Sequence, residues 1–144
     1  MPHYKHGFLI PTKIILHVDD DQDDRFLIGS AIHSIDRSIQ ILEAENGLQA
    51  IELLKEAYIE RQLPSLIILD FNMPLMNGME TYKEIRKYPE FSSIAVALLT
   101  TFKNKREDDY WGSENVVTFT KPATYTELQK SIKSILSAYH LLSK

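Results

Sequence analysis

Residues 65–78, from Ser65 to Gly78, read SLIILDFNMPLMNG. Ser65 to Leu69 (SLIIL) is a short run dominated by large apolar residues, the pattern of a short strand buried on both faces rather than one half exposed to water. Asp70 closes this run. An ionisable group at the end of a buried strand calls for a partner, because desolvating a lone carboxylate is costly. Pro74 and Asn77-Gly78 follow, and these residue types favour a turn and a restart of the chain.

The same pattern recurs on both sides of this stretch. Lys13 to Val18 (KIILHV), Ile39 to Ala44 (IQILEA), Ile94 to Leu99 (IAVALL) and Val116 to Phe119 (VVTF) are further short runs rich in Ile, Leu and Val. Longer amphipathic segments separate them. Ile28, Ile32 and Ile35 recur at helical spacing, as do Ala50 or Ile51, Leu54 and Ala57 or Tyr58. Leu128, Ile132, Ile135, Tyr139 and Leu142 do the same, behind Thr124 and Glu127 in capping-box order. Strands alternating with helices predict an α/β fold. Five buried strands then form a doubly wound parallel sheet in the flavodoxin-like order 2-1-3-4-5, with helices on both faces. The charged stretch Lys103 to Glu114 (KNKREDDYWGSE) predicts a short or distorted fourth helix.

Composition narrows the function. The 144 residues, 44% hydrophobic and 25% charged, suit one domain with one core. Sixteen Lys and Arg against twenty Asp and Glu give a net charge of −4, which supplies no basic footprint for nucleic acid. The absence of Cys removes disulfides, thiolate zinc sites and thiol nucleophiles. No apolar run approaches the ~20 residues of a membrane span, and Met1 to Thr12 lacks a secretory signal. A cytoplasmic protein with no membrane partner is expected.

Ligands of doubly wound sheets bind beyond the C-terminal ends of the strands. There the sequence offers Asp19-Asp20-Asp21-Gln22-Asp23-Asp24, Asp70-Phe71-Asn72-Met73-Pro74, Thr100-Thr101 and Thr120-Lys121-Pro122. Clustered carboxylates repel one another unless a hard divalent cation sits among them. Mg²⁺ keeps waters that phosphate oxygens can replace, so the cluster reads as a phosphoryl-transfer site. Asp23 and Asp24 suit a helix start, where carboxylates favour the macrodipole. An EF-hand is excluded, because Asp24 stands where Gly is needed and Ser30 where Glu is needed. His17 is expected to be a satisfied core residue, and His3, His6, His33 and His140 have no metal-like spacing.

Over residues 12 to 142 the sequence resembles the receiver domain of two-component response regulators, the CheY-like family. The resemblance rests on the acidic pair Asp19-Asp20, Asn46-Gly47 opening the second helix, the segment Leu69 to Gly78, Thr100, and Lys121-Pro122. It implies that Asp70 is the phosphoacceptor and that Asp19, Asp20 and Asp70, with the backbone carbonyl of Asn72, hold Mg²⁺. Thr100 would contact the phosphoryl group and Lys121 would be its counter-cation, so that Asp70, Thr100 and Lys121 carry the chemistry. The resemblance also implies a cis bond between Lys121 and Pro122, which X-Pro allows at ~0.5 to 1 kcal/mol. It implies a sensor histidine kinase or phosphotransfer protein as donor, and a downstream protein reading a surface of the fourth helix, fifth strand and fifth helix. On this reading residues 1–11 are an N-terminal extension and 12–144 a single receiver domain without an output domain. The chain is then a phosphoacceptor and not a conventional enzyme.

Departures from the family pattern fall on the signalling side. Thr118 occupies a switch position, paired with Thr100, that is often aromatic in relatives. Thr100-Thr101, Asp108-Asp109 and Thr120-Lys121-Pro122 are similar to the single-domain receivers associated with bacterial phytochrome kinases. That subgroup implies a homodimer, with Tyr110 and Trp111 available to a partner face unless Trp111 packs on its own domain. Phe102 can neither orient nor activate water, so Asn72 and Phe102 together predict slow self-dephosphorylation. Two rivals remain: a haloacid-dehalogenase-like phosphohydrolase, whose Asp-x-Asp pattern breaks at Asp23, and a non-phosphorylated pseudo-receiver acting as a binding module. The second needs the acidic pair, the phosphoacceptor or the lysine to be missing, and all are present.

Overall fold

The computed structural model describes residues 3–5, 8–10, 13–100, 110–114 and 116–142. Two short strands, β1 (His3–Lys5) and β2 (Phe8–Ile10), pair antiparallel with Lys5 opposite Phe8. The sequence reading named residues 1–11 only as an extension and missed this hairpin. The main sheet holds β3 (Ile14–Val18), β4 (Gln40–Ala44), β5 (Leu66–Asp70), β6 (Ala95–Thr100) and β7 (Val117–Thr120). All neighbours are parallel in the order β4-β3-β5-β6-β7, which is the expected 2-1-3-4-5. Each strand lies within a residue of its predicted bounds.

Side-chain alternation along the strands feeds two cores. Ile15, Leu66, Ile68, Ala97 and Leu99 face α1 (Gln22–Ile35) and α4 (Tyr125–Ala138), through Ile28, Ile32, Ile132 and Ile135. Leu16, Val18, Ile67, Leu69, Val96 and Leu98 face α2 (Gly47–Ile59) and α3 (Gly78–Arg86), through Leu54, Tyr82 and Ile85. The helix last in sequence, α4, is the fifth of the sequence reading; the expected fourth falls largely on residues 101–109, outside the described residues, and 110–113 are helical. Trp111 is buried in the second core, edge-on to Tyr82 and Tyr110 with ring centroids 5.1 Å away in each case. It therefore packs on its own domain and offers no partner face.

Two expectations need correcting. The edge strands are not fully buried: β4 is mostly half-exposed, and β7 has both ends exposed, because each edge strand has a neighbour on one side only. The Lys121–Pro122 bond is trans, the form X-Pro bonds prefer, and the lysine side chain reaches the carboxylates without the cis form.

Strand order fixes where the chemistry sits. From β3 the chain moves to β4 on one side and then returns to β5 on the other. The crevice beyond β3 and β5 is thus the switch point, with Asp19 just past one strand and Asp70 ending the other.

Candidate functional site

Asp70 is buried, 3% exposed, and is the last residue of β5. The chain behind it is held tightly. Phe71 N–H donates to Leu99 O at 3.0 Å and Gly78 N–H to Phe71 O at 2.8 Å. A Cβ on Gly78 would lie 2.7 Å from both Asp70 O and Phe71 Cα, so only glycine lets α3 start this close to the strand end. Asn77 caps α3 in a reciprocal box with Glu80, at 2.9 and 3.1 Å. Leu75, between Asp70 and Asn77, takes the left-handed conformation at φ 68° and is exposed.

Asp19 is fully buried, and Asp21 N–H donates to its Oδ1 at 2.9 Å. Asp20 is exposed beside it. One carboxylate oxygen from each of Asp19, Asp20 and Asp70 lies within 4.8 Å of the other two. Asn72 N–H donates to the Asp70 carboxylate. Thr100, buried at the end of β6, accepts Lys121 N–H on its carbonyl at 2.6 Å. That bond sets Lys121 so that Nζ lies 3.2 Å from Asp19 Oδ2, 3.2 Å from Asp70 Oδ1 and 2.8 Å from Asp24 Oδ2. Thr118 lies half-buried on β7, paired in register with Leu98. Thr101 and Phe102 fall outside the described residues.

The carboxylates titrate in opposite directions. Burial, reinforced by the negative charge of Asp19 and only partly offset by Lys121, raises Asp70 from its ordinary 3.8 to about 6. Burial also opposes ionisation of Asp19, but the His17 ring, Asp21 N–H and Lys121 outweigh it and hold Asp19 below its ordinary value. Burial works against the Lys121 charge, yet the Asp24 hydrogen bond and the charges of Asp70 and Asp19 raise its pKa and keep it an ammonium.

Every strand-end residue predicted for the chemistry converges here: Asp19, Asp20, Asp70, Asn72, Thr100 and Lys121. Four features escaped the sequence reading. Asp21, not Asp23 or Asp24, caps α1, accepting from the N–H groups of both. Asp24 instead reaches Lys121. The signal was available, since helix side chains lean toward the helix N-terminus, which here points a first-turn carboxylate back at the strand ends. Arg25 Nη1 donates to the backbone carbonyl of Asp19 at 2.8 Å while its Nε lies 3.3 Å from Glu43, tying α1 to the backbone that carries Asp19. His17 is buried as expected but not satisfied: neither ring nitrogen has a hydrogen-bond partner, and Nε2 faces Asp19 Oδ2 at 3.6 Å.

The family known as the response regulator receiver domain matches residues 15–133. The chain belongs to that family. It is 31% identical over 132 residues to response regulator Rcp1 of Synechocystis sp., covering 88% of each chain. It is 33% identical over 126 residues to the sensor histidine kinase CheAY of Helicobacter pylori, which is 83% of this chain but 15% of that protein. Among solved structures, the phosphorylated cyanobacterial phytochrome response regulator RcpA superimposes with a TM-score of 0.80 at 26% identity, covering 93% of this chain and 98% of that one. The Mn²⁺-bound form of Rcp1 gives 0.75 at 29% identity, covering 87% and 92%. This receiver domain is thus CheY-like and has single-domain relatives, as its residues implied. Among the described residues no helix is long and apolar enough to cross a membrane.

Proposed function

We propose that this receiver domain accepts a phosphoryl group on Asp70 from a histidine kinase or phosphotransfer protein and passes the signal to a protein partner through its surface. The observation that carries the reading is the state of Asp70. Its carboxylate is buried, its Oδ1 accepts no hydrogen bond, and it is flanked by two acidic residues and an ammonium.

The residues fit a divalent cation. A buried carboxylate oxygen without a partner, set among hard oxygen donors, is the environment that Mg²⁺ satisfies. Asp19, Asp20 and Asp70 would hold it with the Asn72 carbonyl. Once bound it supplies charge that offsets the phosphoryl oxygens. The similarity to a Mn²⁺-bound relative supports a divalent site.

The protein's own groups do the rest. With a pKa of about 6, Asp70 is ionised at neutral pH and nucleophilic. Its oxygen attacks phosphorus, the bond from phosphorus to the donor's leaving group breaks, and the donor departs with that bond pair. Lys121 stays charged beside the new acyl phosphate. The Thr100 hydroxyl is the second contact for the phosphoryl oxygens, and its movement, with Thr118 two strand positions before the end of β7, alters the output face. A phytochrome-type kinase is the donor favoured by the similarity to RcpA, a phytochrome response regulator, and a homodimer acting in the cytoplasm is the form proposed to receive its phosphoryl group.

Intact mass after incubation with acetyl phosphate tests this. One Mg²⁺-dependent phosphoryl addition in the wild type, absent in Asp70→Asn, is the expected result. No addition under any condition would leave a receiver fold serving as a binding module.

A further inference from the structure

Lys121 makes its shortest hydrogen bond with Asp24, not with Asp70. Its Nζ donates to Asp24 Oδ2 at 2.8 Å and to Asp19 Oδ2 at 3.2 Å. Asp70 Oδ1 is equally near at 3.2 Å, yet the contact is an ion pair without hydrogen-bond geometry, and that oxygen remains without a hydrogen-bond partner. The shortest contact of the ammonium is thus to a residue outside the strand ends. Asp24 sits in the first turn of α1, with its side chain 35% exposed. It can exchange a partner for water at little cost, whereas Asp19, fully buried, cannot.

We propose that Asp24 is a positioning residue for phosphoryl transfer, a latch whose short hydrogen bond holds the Lys121 ammonium until a phosphoryl oxygen on Asp70 replaces it. This rests on the reading of Asp70 as acceptor. As Asp70 Oδ bonds to phosphorus and the bond from phosphorus to the leaving acetate of acetyl phosphate breaks, anionic phosphoryl oxygens arrive beside Nζ. No proton is exchanged in the step. Asp24 is then the acceptor that must yield, because it is the exposed one of the two that hold the ammonium. Until it does, its charge also repels the incoming dianion. Asp24 therefore slows phosphorylation of the resting domain, and it offers the ammonium a place to return to when the phosphoryl group leaves.

The test compares initial rates of phosphorylation by acetyl phosphate in saturating Mg²⁺, read by intact mass, for wild type, Asp24→Asn, Asp24→Glu and Asp70→Asn. Melting temperatures in Mg²⁺-free buffer accompany them. Asp24→Asn should react about two- to fivefold faster, the scale of one partly exposed ion pair. Its melting temperature should stay level or fall slightly, because α1 loses a first-turn carboxylate. A faster reaction in a protein that is no more stable cannot come from a structural defect. Asp24→Glu, which restores the charge, should return toward the wild-type rate. An Asp24→Asn rate equal to or below wild type overturns the latch, as does a Glu variant that is as fast as Asn. A wild type that takes up no phosphoryl group, or an Asp70→Asn that still does, defeats the acceptor reading itself, and the latch falls with it.

Discussion

Asp19 and Asp70 are neighbours whose carboxylates are pushed to opposite sides of their ordinary range, and the consequences for stability have opposite signs. Asp19, held low, contributes stability that is present above its unfolded pKa and lost as pH falls through its folded one. Asp70 binds its proton more tightly in the folded chain. Between its ordinary 3.8 and about 6 the native state holds more protons than the unfolded state, so stability falls as pH rises through that window. Above it, the full cost of a buried anion is borne, on the order of 3 kcal/mol from the size of the shift. Asp70→Asn removes this cost while Lys121 keeps Asp19 and Asp24 as partners. In Mg²⁺-free buffer at about pH 7.5 the variant should melt at least ~3 °C above wild type, given the stability change per degree of a domain this size. The gain should vanish near pH 4, where wild-type Asp70 is protonated. Thermal melts across pH check this, and a gain that persists unchanged into acid would refute the assignment.

At the scale of elements, loop and helix starts hold the site as much as strands do. The α3 capping box begins directly behind the Asp70 loop, and Asn77 closes both halves of it. Asn77→Ala should cost about 1 kcal/mol, the usual value of an N-cap, and urea denaturation should show it as a lower midpoint with an unchanged slope; an unchanged midpoint would mean the cap is dispensable. Element types were legible because buried strands and amphipathic helices have different periods, and each strand was placed within a residue. What periodicity could not show was exposure at the edges. Gln40 and Glu43 in Ile39 to Ala44, and Thr118 in Val116 to Phe119, are polar breaks outweighed in that reading by the Ile, Leu and Val around them, and β4 and β7 have one neighbour each. The hairpin of β1 and β2 was missed because its three-residue strands are too short to show alternation.

Across the whole molecule, strand order assembles a site from residues far apart in the chain. Asp19, Asp70, Thr100 and Lys121 could be read in advance because each ends a strand and a doubly wound sheet brings strand ends together. The Asp24 to Lys121 bond went unread although the lean of helix side chains hinted at it, since it joins residues 97 positions apart through a helix turn that looked like a capping segment. Nor could one read in advance the setting of His17, whose Nε2 faces Asp19 at 3.6 Å without hydrogen-bond geometry. The assembled site brings four carboxylates, those of Asp19, Asp20, Asp24 and Asp70, to one ammonium. That excess of negative charge is a cost of folding which a divalent cation would relieve only when the strands are in place, so its binding would be coupled to folding. Mg²⁺ at tenfold its dissociation constant should stabilise the domain by ~1.4 kcal/mol. A NaCl control at matched ionic strength should give much less, because screening reaches the exposed Asp20 and the half-buried Asp24 but little of the buried pair. Asp19→Asn, lacking one ligand, should lose most of the Mg²⁺ response. Melting curves over a Mg²⁺ titration decide the matter: a response that NaCl reproduces, or that Asp19→Asn retains in full, would mean that the cation does not bind among these carboxylates.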